Sequence, residues 1–234
     1  MNCLAHAYRF LDDGHFAAGT CIPDWLGMID RSVRVRKKST AVFLENEALD
    51  PFTVSIATGI AQHLNDDDLF HGSRAFVESS LQAARMIGGF LDNESGHRTG
   101  FLGHIVVELL LDAEIERRNP GTIQEYYRVI GQVPPARLQS TINRIAARPT
   151  TEIGRFMERY LNERFLFDYL DDGRLLYRLN RIMGRVGLEP LPADIVLLMP
   201  EIRDLVDSRF DDLLQPVIQN GEPGLGQATV PSKA

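Results

Sequence analysis

The stretch Thr99–Arg118, TGFLGHIVVELLLDAEIERR, is the most apolar in the chain, and its reading decides the fold. Phe101-Leu102, Ile105-Val106-Val107 and Leu109-Leu110-Leu111 place apolar side chains on most sides of a helix. A helix of that kind belongs at the centre of a helical protein. Its polar exceptions, His104, Glu108 and Asp112, fall four residues apart and share roughly one face. A buried acid on such a helix needs a partner. His63, Asp67 and His71 repeat the spacing upstream. Two facing rows of imidazole and carboxylate could hold one or two divalent ions, Mn, Fe or Zn. His6 and Asp24 would add ligands from the first two helices, completing a candidate metal set of His6, Asp24, His63, Asp67, His104 and Glu108. His71 and Asp112 read as one turn beyond that set.

Outward from this helix, most segments keep helical spacing and few alternate like strands. Helices are expected over Leu4–Leu11, Phe16–Val35 with an interruption at Pro23, and Asp50-Pro51 onward to about Phe70. Ser73–Leu91 follows, then a turn at Asp92–Gly96. Shorter amphipathic segments are expected over Thr122–Ile130, Pro135–Ala147, Thr151–Phe167, Gly173–Val186 and Ala193–Leu214. The run Ala41–Phe43 is ambiguous. The expectation is an all-α protein, one domain over residues 1–220 with about nine or ten helices, and a disordered Gly/Pro-rich tail over 221–234.

Composition narrows the function classes. A net charge of -7 argues against nucleic-acid binding, which needs extended positive surface. No run approaches ~18 apolar residues, so no membrane span is expected. The opening residues lack a basic start and an apolar signal core, and two cysteines make no disulfide framework, so a cytoplasmic setting is expected. One local exception is the basic run Arg31, Arg34, Arg36, Lys37 and Lys38, whose usual reading is a solvated face. Arg31 and Arg34 are also candidates for holding a substrate phosphate or an acidic protein. Asp66 and Asp68 read as solvated neighbours of Asp67, one of which could also hydrogen-bond to a ligand from behind or relay a proton, and His15 and His97 as surface residues. Trp25 reads as core. His–acid pairs at this spacing also arise from composition, since 32 acidic residues stand among 234.

The opening Met1-Asn2-Cys3-Leu4-Ala5-His6 resembles the start of acyl-carrier-protein phosphodiesterases, all-α relatives of the HD-domain metal phosphohydrolases. The similarity continues at Gly19 to Asp24, at Gly59-Ile60-Ala61-Gln62-His63 with Asp67, and at Gly103-His104, covering roughly the first half of the chain. Leu64 stands where that family carries arginine, and Gly103 where it carries aspartate. The resemblance implies hydrolysis of the phosphodiester that joins phosphopantetheine to acyl carrier protein. It implies a divalent metal at His6, Asp24, His63, Asp67 and His104. A second resemblance is to zinc-dependent phospholipase C-like proteins, on Pro23-Asp24, His63-x-x-x-Asp67, Gly100 to His104, and His104-x-x-x-Glu108. Together these imply an HD-like or phospholipase C-like orthogonal bundle. The expected function is a metal-dependent phosphodiester hydrolase with Asp24, Asp67 and Glu108 in catalysis. The alternative is a non-catalytic helical binding protein with a degenerate site.

Overall fold

Helix starts are set by local chemistry along the first half of the chain. The Asp50 carboxylate accepts from the Thr53 N–H at 3.3 Å, and Pro51 occupies the first turn, where no N–H is needed. Ser73 accepts from Phe76 N–H, and Asp13 from the N–H groups of His15 and Phe16. In this computed structural model, which describes residues 1–45, 48–91 and 97–220, every regular element is helical. The elements are α1 (Cys3–Ala7), α2 (Gly14–Ile29), α3 (Lys37–Leu44), α4 (Pro51–His71), α5 (Arg74–Phe90) and α6 (Thr99–Arg118). They continue with α7 (Thr122–Ile130), α8 (Pro135–Ile145), α9 (Ile153–Glu163), α10 (Asp172–Arg185), α11 (Met199–Ser208) and α12 (Phe210–Asn220). Short 3-10 turns cover Tyr8–Phe10, Phe165–Leu170 and Ala193–Leu198. The expected turn at Asp92–Gly96 and the expected tail at 221–234 lie outside the described residues.

The all-α expectation holds, with α6 at its centre. Side chains from Leu102 to Ile115 on this helix are largely buried. One continuous apolar core runs from Met1 to Val217 and includes Trp25, Phe70, Leu110, Leu111 and Tyr126. No helix among the described residues is long and apolar enough to cross a membrane.

Twelve α-helices among the described residues exceed the nine or ten expected, for identifiable reasons. The ambiguous run becomes α3. The expected helix over Ala193–Leu214 divides into a 3-10 turn, α11 and α12, because Pro200 suits the start of a new helix. The segment over Thr151–Phe167 breaks at Arg164, whose φ of 45° is left-handed and ends α9. Conversely, α2 passes through Pro23 without interruption and stops at Ile29, leaving the basic run from Arg31 to Arg36 in a turn.

Two helix crossings position the site. A Cβ built on Gly19 would lie 2.3 Å from the Ile56 carbonyl, and one on Gly59 would lie 2.2 Å from the Phe16 carbonyl. Only glycine lets α2 and α4 approach this closely. At the second crossing a Cβ on Gly103 would lie 2.4 Å from the Ser80 carbonyl and 2.7 Å from the Ala84 nitrogen. The first pair brings Asp24 alongside His63 and Asp67; the second sets His104 and Glu108.

Candidate metal centre

Imidazoles and carboxylates from α1, α2, α4 and α6 converge on one point. Ligand atoms of His6, Asp24 and His63 lie within 4.8 Å of one another, and so do those of His71, His104 and Glu108. Asp67 stands between the groups. Its Oδ1 is 3.2 Å from His6 Nε2 and 3.8 Å from His71 Nδ1, while its Oδ2 is 3.5 Å from His63 Nε2. Glu108 Oε1 is 2.8 Å from His71 Nε2 and 3.5 Å from His104 Nε2. The His6 and His63 rings stack at 3.8 Å and are fully buried, whereas His104 is 41% exposed, so the site is deep at one end and open at the other.

The backbone fixes which nitrogen of His63 faces inward. Nδ1 lies 2.7 Å from the Thr20 carbonyl, an oxygen that only accepts, so Nδ1 carries the proton. In the neutral ring, Nε2 then presents a lone pair to Asp24 Oδ1 at 3.9 Å and Asp67 Oδ2 at 3.5 Å. Two carboxylates facing a lone pair require positive charge between them, either a proton or a metal ion. This is the orientation that ligating histidines are given by a carbonyl behind the ring. His6 adds a second sign: both of its ring nitrogens are buried without a hydrogen bond, although Nε2 sits close to Asp67.

Charge counting points the same way. Asp24, Asp67 and Glu108 bring three negative charges. The buried α-amino group of Met1, 2.8 Å from Asp67 and 3.1 Å from Glu108, brings one positive charge. Three against one leaves two negative charges in a poorly solvated place, which suits a dication. Burial works to raise the Asp67 and Glu108 carboxyls, but the adjoining histidines and the ammonium outweigh it and hold both well below the usual carboxylate range. Burial likewise works to lower the Met1 amine, and Glu108 and Asp67 instead raise it to about 10. For His63, burial pulls the imidazole down while Asp24 and Asp67 pull harder, leaving it raised.

Several residues take places the sequence does not foretell. His71, expected one turn beyond the site, is part of it. The expectation rested on an ideal helix, where positions eight apart diverge by about 80°; the long imidazole reaches Glu108 across that angle. Asp112 is one turn beyond, and its role is structural. Its carboxylate accepts from the N–H groups of Ala5 at 2.8 Å and Leu4 at 3.2 Å and from Asn2 Nδ2 at 2.8 Å. These are the first-turn donors of α1, which have no partners within the helix, so Asp112 holds His6 and Met1 in place. Burial raises this carboxyl to about 7, against the pull of those N–H groups.

Asp66, read as solvated, is fully buried and paired with Arg9 at 2.7 Å and Gln62 at 2.7 Å. Asp68 is exposed and pairs with Lys37. Arg31 and Arg34 lie exposed in the turn after α2, where Arg34 Nε donates to the Arg31 carbonyl. His15 packs edge-on against Phe52, and His97 Nε2 lies 3.3 Å from the Pro190 carbonyl. Trp25 is core.

The raised groups give stability a definite pH dependence. Asp112, His63 and the Met1 amine bind protons more tightly folded than unfolded, so their contribution is complete below the unfolded values and lost as pH rises through the folded ones. For Asp112, fully buried and moving from 3.8 to about 7, the span is on the order of 4 kcal/mol. Asp67 and Glu108 act oppositely, but only below about pH 4. Metal-free protein in chelator is therefore expected to lose urea resistance between about pH 5 and about pH 9. Saturating Mn should flatten or reverse the trend, because protons compete with the ion for these ligands.

A cleft of about 420 Å³ opens from this centre toward the C-terminal helices, sharing Met1, Asp24 and Glu108 with it. Comparison with protein-family models, curated proteins and solved structures gives no match for this chain.

Proposed function

We propose that the protein is a metal-dependent phosphodiester hydrolase. The observation that carries this reading is the position of Asp67, a carboxylate within reach of both ligand groups: its Oδ1 lies near His6 and His71, and its Oδ2 near His63. His6, Asp24 and His63 would hold one divalent ion, His71, His104 and Glu108 another, and Asp67 would serve both. Such an ion supplies Lewis acidity: it acidifies water and offsets charge growing on a phosphoryl oxygen.

The protein's own groups do the rest. Thr20 holds the His63 ring so that Nε2 stays directed at the site. Asp112 anchors α1, keeping His6 stacked on His63. Asp24, 28% exposed and lining the cleft, would take a proton from a water approaching from the solvent side. Cys3 Sγ points at its other oxygen from 3.6 Å, which keeps that carboxylate turned toward the site.

The test is turnover of bis-p-nitrophenyl phosphate with Mn added to chelator-treated protein. Activity restored by Mn and reduced at least ~100-fold in Asp67→Asn is expected. Absence of turnover with any of Mn, Fe or Zn would leave the non-catalytic reading. Holo-acyl carrier protein, the substrate implied by the resemblance of the opening segment, forms the second arm, read as release of phosphopantetheine.

A further inference from the structure

The cleft beside the metal centre is lined by residues of two chemical characters. Ile105 and Leu109 of α6 and Phe156 and Phe165 give it an apolar wall. Arg159, Arg181 and Arg185 line the cleft as well. Arg178, also on the rim, is committed to Asp168 at 2.6 Å and Glu163 at 3.2 Å. The other three are not neutralised in this way. Arg159 has only Glu163 at 3.9 Å, while Arg181 and Arg185 form no ion pair among the described residues. Arg181 meets the Tyr177 hydroxyl at 3.5 Å, and Arg185 donates to the Met28 carbonyl at 3.3 Å.

Arginines on a surface are ordinarily dispersed or paired. Here burial, followed by repulsion from Arg31, Arg159 and Arg181, pulls the Arg185 guanidinium below its ordinary value. In a chain with net charge -7, Arg181 and Arg185, which have no carboxylate partner among the described residues, are suited to a bound anion. Guanidinium groups match phosphate and carboxylate geometry. The same cleft is lined by Asp24 and Glu108, beside which the reacting phosphate would sit.

We infer that this cleft is the second half of the substrate site. Its apolar wall receives an aromatic or aliphatic body, and Arg181 and Arg185, with Arg159, hold a second anionic group. The ligand is then a small phosphoester carrying a second anionic group and an apolar body. This deepens the hydrolase reading and rests on it for the phosphoester.

Trp25, the only tryptophan, reports on the cleft: its ring lies 5.6 Å from that of Phe156 and 5.0 Å from that of Tyr160. The experiment is a fluorescence titration of the full chain, with and without Mn, using thymidine 3′,5′-bisphosphate and thymidine 5′-monophosphate. The bisphosphate is expected to bind at least ~10-fold more tightly, as one charge-assisted arginine contact allows. Arg181→Gln with Arg185→Gln should erase that preference, with melting temperature as the check on folding. Removing two distant cations, Arg74→Gln with Arg117→Gln, should retain it. Equal affinity for the two nucleotides, or a preference that survives the Arg181/Arg185 substitution, overturns the inference. A preference that is present while bis-p-nitrophenyl phosphate is not turned over overturns only the hydrolase reading.

Discussion

Gly103→Asp, which would place in this chain the aspartate that the acyl-carrier-protein phosphodiesterase pattern carries, is expected to unfold the site. The position has no room for a side chain. Even a methyl carbon would lie 2.4 Å from the Ser80 carbonyl and 2.7 Å from the Ala84 nitrogen, and both of those are backbone atoms of α5. Backbone cannot swing aside as the end of a flexible side chain can, so α5 and α6 would have to separate. Overpacking of this kind costs about 1–3 kcal/mol or more, and the carboxylate adds a buried charge. The melting temperature should fall by roughly 10 °C or more, with Gly103→Ala falling by less. Because α6 carries His104, Glu108 and Asp112, metal affinity should fall with it. Wild-type stability in Gly103→Asp would show that α5 and α6 do not pack backbone to backbone at this glycine.

Asp67→Asn and Asp68→Asn, adjacent in sequence and alike in composition, should behave in opposite ways. Asp67 faces His6, His63, His71 and the Met1 amine, and no other carboxylate among the described residues touches both ligand groups. The amide keeps the shape but removes the charge and turns a donor toward the imidazoles. Mn affinity should fall by about 100-fold or more, since one lost ligand weakens both halves of the site. Asp68 is exposed and touches only Lys37, so its amide should leave Mn affinity unchanged and stability within about 0.5 kcal/mol. Calorimetric titration of chelator-treated variants measures both. Equal loss in the two would mean that the effect is bulk charge rather than ligation.

How much of this was legible in the sequence depends on the range of the interactions involved. Asp50-Pro51, Ser73 and the apolar run from Phe101 to Leu111 act within a turn or along one helix, and α4, α5 and α6 begin and end within a residue or so of expectation. The i, i+4 pairs His63–Asp67 and His104–Glu108 were visible for the same reason, and they do meet. Interactions between helices were not visible. Nothing local tells that the Asp66 carboxylate turns inward to Arg9 while that of Asp67, one residue on, turns to His6. Nor does any local pattern distinguish Gly103, which fills a helix crossing, from Gly100, where a Cβ would meet nothing. The cations that line the cleft come from α9 and α10, more than a hundred residues beyond Asp24, so the conspicuous run at Arg31 and Arg34 drew attention that Arg181 and Arg185 could not. The left-handed turn at Arg164, which divides α9 from the following 3-10 turn, also lacks the glycine or asparagine that would announce it.

If α1, α2, α4 and α6 bring their histidines and acids together to bind a divalent ion, the protein carries or takes up metal in a fixed ratio. Elemental analysis of the purified protein, followed by Mn titration after chelation, tests it most directly. One to two equivalents of metal per chain are expected, lost on His63→Ala and on Asp67→Asn but kept in Asp68→Asn. Negligible metal in the wild-type protein, together with no saturable Mn binding after chelation, would contradict it.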